Sequence, residues 1–275
     1  MKKLLALAAI VTLTFIGCKK DSEEPAPSGG GGTSLTVEKK NRTLLVDFSE
    51  DWCPPCGSSG GPAFDSLLSY EKTLLTAIKV YGGSNNSDLD CAIGNSFFSI
   101  YNNTTYGGNG IPKFIIANVH QPVYTTWAST VNQSLTKANT FAADSVIAGV
   151  ALNKAIVGDS IKINTKVQFF KEQLAGSDYR LALYVVESNV ISSQSTNTGS
   201  VANYQHKNLV RICNSSSYGG VVINNSTAVS MDQVFENSFT LGLKPGWDKS
   251  KLKVVAAIWK FNSNPAKVIN SNVSQ

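Results

Sequence analysis

The spacing of apolar residues changes character once along the chain, near Ala142. Before that point, near-continuous apolar runs alternate with stretches of helical spacing. Residues 43–48, built on Leu44-Leu45-Val46-Asp47-Phe48, and residues 74–81 read as strands buried on both faces, as in a parallel sheet. Residues 114–119 give a third central strand, 122–124 an edge strand and 35–37 a short further one. A helix is expected to begin at Pro62 and run through residues 70–75. Ser87 and Asp90 match a capping box ahead of Leu89, Ile93, Phe97 and Ile100, and Trp127, Val131, Leu135 and Ala138 line one face of a closing helix over 126–141.

After Ala142 the period drops to two. Ile161, Ile163, Thr165, Val167 and Phe169 alternate with polar residues, and strands are expected at 146–152, 160–170, 179–187, 207–212, 232–241, 252–261 and 266–271. About seven strands with turns at Gly158-Asp159 and Pro245-Gly246 suggest an antiparallel sandwich, with residues 192–205 as a crossing loop. The fold class expected is therefore α/β over 37–141 followed by all-β over 142–275.

Composition adds little to this and removes some options. The chain has 275 residues, 42% hydrophobic and 16% charged, which describes a globular protein. The net charge is +5, and no basic block carries interleaved aromatics, so nucleic acid is not an expected partner. The first residues have another purpose. Lys2-Lys3 precede an apolar run over 4–16 that is short for a membrane span, followed by Gly17-Cys18. This order resembles a bacterial lipoprotein signal: residues 1–17 would be removed and Cys18 lipidated. Residues 18–36, with Gly29-Gly30-Gly31-Gly32, would be a flexible tether.

The chemistry concentrates in Trp52-Cys53-Pro54-Pro55-Cys56. A cysteine where an apolar strand turns into a helix meets unpaired N–H groups that favour a thiolate. A second one turn later can resolve a mixed disulfide. An inert structural disulfide is the competing reading. Zinc needs about four ligands, and the only histidines are His120 and His206. No metal or other cofactor is expected. Cys91 and Cys213 either bridge two segments or stay buried and free; spacing does not choose between them.

Val46-Asp47-Phe48 followed by Trp52-Cys53-x-Pro55-Cys56 resembles the active-site strand and turn of the thioredoxin superfamily. The resemblance implies that Cys53 attacks, that Cys56 resolves the mixed disulfide on Cys53 and so forms the Cys53–Cys56 disulfide, and that Asp47 assists the proton on Cys56. It further implies a cis-proline at Pro112 within Gly110-Ile111-Pro112, docking substrate beside the sulfurs, with Trp52 and Ile111 in contact with it. Ile111 before that proline resembles reducing members. One departure is Gly57-Ser58-Ser59-Gly60-Gly61, a poor helix interior; another is the charge of Glu50 and Asp51, which opposes a thiolate.

The two halves together resemble the Omp28-related family of outer-membrane lipoproteins. Its carrying residues are the Cys53/Cys56 motif, Gly110-Ile111-Pro112, Leu181-x-Leu183-Tyr184-Val185-Val186-Glu187 and Tyr204-x-His206-x-x-Leu209-x-Arg211. That likeness implies a thioredoxin-like domain over 37–141, an immunoglobulin-like β-sandwich domain over 142–275, and a place in the outer membrane or cell envelope. The function expected is a membrane-anchored thiol–disulfide oxidoreductase acting on protein thiols and disulfides, in the reductase or isomerase direction. The alternative is a surface binding or adhesion lipoprotein with a redox-inert scaffold.

Overall fold

Leu44, Leu45, Val46 and Phe48 are all buried because their strand, β1 (Thr43–Phe48), has a neighbour on each side. The computed structural model describes residues 34–82, 89–262 and 265–274. The expected signal peptide at 1–17, lipidated Cys18, most of the tether and Ser87 of the capping box lie outside the described residues.

After β1 come a π-helical turn (Cys56–Gly60), α1 (Gly61–Leu67), β2 (Leu75–Val80), α2 (Ala92–Tyr101), β3 (Lys113–Ile116), β4 (Val119–Pro122) and α3 (Trp127–Ala143). The rest is strand: β5 (Ala148–Val157), β6 (Ser160–Phe169), β7 (Asp178–Glu187), β8 (Val190–Thr196), β9 (Gly199–His206), β10 (Leu209–Cys213), β11 (Val221–Val222), β12 (Val234–Gly242), β13 (Leu252–Phe261) and β14 (Lys267–Val273). Among the described residues no helix is long and apolar enough to cross a membrane.

One mixed sheet runs β14-β13-β7-β10-β2-β1-β3-β4, with β11 beside β7. β1 and β2 are parallel, with Asp47 opposite Lys79, while β3 runs antiparallel to β1. The expected boundary at residue 141 does not divide this sheet. β10 lies beside β2 through Leu209 and Lys79, and Lys79 N–H donates to the Asn208 carbonyl at 2.9 Å. Strands 7, 10, 13 and 14, expected in a separate sandwich, thus extend the sheet of the first half; residues 35–275 form one compact unit.

One face of the sheet carries α2, packed through Phe97 and Tyr101 on Phe48, Tyr184 and Trp259. The opposite face is covered in two parts. Phe64, Leu67 and Ala138 of α1 and α3 close it over β1 to β3. Further along, the small sheet β12-β6-β5 lays Ile161, Ile163, Val167 and Phe169 on Leu181, Val185 and Ile258.

Several local expectations are corrected. Residues 35–37 are not a strand. The run 114–119 is broken into the β3–β4 hairpin by Ala117 and Asn118, both at positive φ as a two-residue hairpin turn requires. The helix from Pro62 stops at Leu67, and Lys72 turns the chain at φ 70°. The helix α2 takes Cys91 as its N-cap. The expected loop over 192–205 is the hairpin β8–β9, a separate two-stranded ribbon.

Candidate functional site

β1 delivers the acidic turn at its C-terminal end, and the chain enters helix at Pro54. Prolines suit a first helical turn, where N–H groups have no partner within the helix. The N–H of Cys56 donates to the Cys53 carbonyl at 3.1 Å and reaches Cys53 Sγ at 3.2 Å. Cys53 and Cys56 form a disulfide with Cα atoms 5.2 Å apart. Pro54 and Pro55 are exposed, as is Trp52 at 48%, but Cys53 is 3% and Cys56 1% exposed. An open, solvent-facing Cys53 sulfur is therefore not what the fold presents.

The cover comes from the hairpin that the sequence hid. Gln194 is buried in β8, and its Nε2 lies 3.1 Å from the Glu50 carbonyl, 3.0 Å from that of Asp51 and 3.2 Å from that of Cys53. Ser195 N–H donates to the Asp51 carbonyl at 2.7 Å, and Asn197 N–H to Ser58 Oγ at 2.7 Å. Gly57 makes this seating possible: a Cβ there would lie 2.3 Å from the Ser195 carbonyl oxygen. The glycines that weaken the helix as sequence therefore serve close approach. Gly60 plays the same part for Pro112, whose Cβ would be 2.9 Å from an added methyl.

The Ile111–Pro112 bond is cis. Ile111 is half-buried against the large core rather than open to solvent. Lys113, next in line, is buried, and its Nζ bonds the Tyr101 carbonyl at 2.9 Å and the Gly108 carbonyl at 2.6 Å, holding the loop before Pro112. Burial pulls that ammonium down to about 8.

Asp47 is buried in β1 with Lys79 Nζ at 3.1 Å, and that ammonium lies 5.0 Å from the centre of the Phe64 ring. Burial pushes the Asp47 carboxyl up. Burial lowers Lys79, but the Asp47 charge, Tyr81, Tyr204 and the Asp47 hydrogen bond together outweigh it and hold Lys79 above its ordinary value.

Glu50, read from sequence as a charge opposing the thiolate, is buried, and its Oε1 accepts the Gly82 N–H at 2.9 Å. Burial raises its carboxyl to about 7, reinforced by Asp90 and Asp51. Under the hairpin the Tyr81 hydroxyl sits 3.2 Å from Gln194 Oε1 and 2.8 Å from His206 Nδ1. Burial, with the Lys79 charge, lowers His206 to about 4, so it is neutral at physiological pH. Arg211 is paired with Glu187 at 2.8 Å. Among the described residues no group of three or more His, Cys, Asp or Glu side chains is placed to hold a metal ion. Gln194 and Tyr81 were beyond sequence reasoning, because only the hairpin brings them to the cysteines.

The family profile described as outer membrane protein Omp28 matches residues 101–275, a span that begins after the cysteine motif. Among solved structures, HBP35 of Porphyromonas gingivalis is similar at 19% identity, covering 86% of this chain and 76% of that one, with a TM-score of 0.66. A crystal structure from Agrobacterium tumefaciens aligns at 11% identity over 86% of this chain and 95% of that one, with a TM-score of 0.47. No curated protein matches.

Proposed function

The chain belongs to the Omp28 family of outer membrane proteins, and from that premise we propose that it is a thiol–disulfide oxidoreductase of the cell envelope with a thioredoxin-like site. The observation that carries the reading is the bonded Cys53–Cys56 pair at the C-terminal end of a buried central strand, with Pro112 packed nearby on Gly60. The Asp47–Lys79 pair on β1 and β2 adds to it.

In the reductase or isomerase direction, the reduced Cys53 thiolate attacks a protein disulfide and forms a mixed disulfide, releasing one substrate thiolate. Cys56 then attacks Cys53 Sγ, the second substrate thiol leaves, and the Cys53–Cys56 bond re-forms with two electrons passed on. Asp47 takes the role of proton acceptor for Cys56, while Pro112 and Trp52 hold the substrate chain. A lipidated Cys18 anchors the protein to the membrane.

The burial of Cys53 under the β8–β9 hairpin favours a second reading, a binding or adhesion lipoprotein whose disulfide is only structural. Trapping separates the two. Cys56→Ser, incubated with envelope extract, is expected to accumulate mixed disulfides on Cys53 that dithiothreitol releases. No adduct on Cys53, together with a wild-type disulfide that resists dithiothreitol at neutral pH in the native state, would overturn the redox reading and leave the binding one.

A further inference from the structure

Outside the Cys53–Cys56 site, the other two described cysteines share one cavity. Cys91 caps the N-terminus of α2 and Cys213 ends β10, and α2 packs on β10. Both line a cavity of about 420 Å³ together with Arg211, Lys244 and Trp247. Both are free thiols, half-buried, and both rest against the same large core.

We propose that Cys91 and Cys213 are a second dithiol, which reacts with small anionic disulfides entering this cavity and closes to a disulfide joining α2 to β10.

The two thiols are not equivalent. Cys91 Sγ accepts the Gly94 N–H at 3.3 Å at the start of a ten-residue helix, where a developing thiolate is stabilised. Burial raises the Cys91 thiol overall and Asp90 adds to the rise, while the Gly94 and Ile93 N–H groups and the Arg211 charge favour the thiolate. Cys213 is deeper. Its S–H donates to Asn214 Oδ1 at 3.3 Å, and burial pushes it up to about 12, with a further contribution from Cys91 itself. The geometry that brings the two thiols together is the shared cavity and the packing of α2 on β10. The charges at the cavity bear on the reagent. Arg211 is largely matched by Glu187 and Asp90 also lines the cavity, whereas Lys244 is exposed there. A disulfide carrying carboxylates, such as oxidised glutathione, meets the Lys244 ammonium.

Cys91 is therefore the attacking thiol. Its thiolate breaks the incoming S–S bond, forming a Cys91–glutathione bond and releasing one glutathione thiolate, which takes up a proton. Cys213 loses its proton, attacks Cys91 Sγ and expels the second glutathione. Two protein thiols are oxidised and one small disulfide becomes two thiols.

The test is a peptide map of the full chain after incubation with oxidised glutathione, denaturation and alkylation. Wild type is expected to lose both alkylation sites and to yield one cross-linked peptide pair containing Cys91 and Cys213. Cys213→Ser is expected to stop at glutathione on Cys91, and Cys91→Ser to leave Cys213 alkylated. A Cys53→Ser, Cys56→Ser double variant is expected to form the same cross-link, because the reaction does not use that pair. The proposal is overturned if wild type retains both alkylation sites, or if Cys91 keeps its glutathione while Cys213 stays alkylated. The wild-type map alone decides between these outcomes should a variant misfold.

Discussion

The side-chain amide of Gln194 lies 3.2 Å from the carbonyl oxygen of Cys53, although 141 residues separate them. The same nitrogen reaches the carbonyls of Glu50 and Asp51, so one buried side chain holds the whole turn that presents the cysteines. A buried carbonyl deprived of its donor costs about 1–3 kcal/mol. Gln194→Ala is expected to lower the free energy of unfolding by about that amount and to speed dithiothreitol reduction of the Cys53–Cys56 disulfide several-fold in the native protein. Urea melts and stopped reduction with alkylation read the two effects separately. An unchanged reduction rate in a destabilised variant would show that the hairpin does not control access.

Gly57 tests the same cover without altering a hydrogen-bonding group. A methyl there meets the Ser195 carbonyl at 2.3 Å and Gln194 Cγ at 2.7 Å, so the ribbon must shift. Gly57→Ala is expected to cost about 1–3 kcal/mol, as overpacking does, and to speed reduction in the same direction as Gln194→Ala.

Asp47→Asn leaves the Lys79 ammonium buried without its counter-charge. Removing one member of a buried pair costs about 3–5 kcal/mol, against a pair that is 3.1 Å apart and almost wholly shielded. Asp47→Leu combined with Lys79→Met is expected to recover most of that loss in a urea melt, because no unpaired charge is left.

Two buried groups give stability opposite dependences on pH. Glu50 rises from 4.5 to about 7 on folding, so its contribution is fully present below 4.5 and is lost as pH climbs through 7. His206 falls from 6.5 to about 4, so its contribution is present above 6.5 and is lost as pH drops through 4. Between roughly pH 4.5 and 6.5 the slopes oppose each other. Unfolding free energy measured across this window is expected to rise with pH in Glu50→Gln, to fall with pH in His206→Gln, and to be flatter than either in wild type.

The parts legible in the sequence were those with a local signature. β1, β2, β6, β7 and β13 fall where apolar runs or strict alternation put them, and α3 where its apolar face predicted. The hairpin β8–β9 escaped because Ser192, Ser193, Gln194, Ser195 and Thr196 offer no apolar face. Its residue that matters most for position is a buried glutamine, held by hydrogen bonds rather than by hydrophobic contact. The continuity of the sheet escaped for a different reason. Leu209 beside Lys79 is a pairing across 130 residues, and no periodicity records which strand will be the neighbour. Burial of Cys53 follows from both, since the cover belongs to a distant stretch of chain.

The seam between β2 and β10 bears on how this protein can be dissected. A fragment ending at residue 141 would leave the outer rim of β2 bare, a row of unsatisfied backbone donors and acceptors ready to stitch onto another molecule. Truncates cut there should precipitate or pair up rather than report on half a protein, so single substitutions in the intact chain are the sounder tool for assigning work to either end.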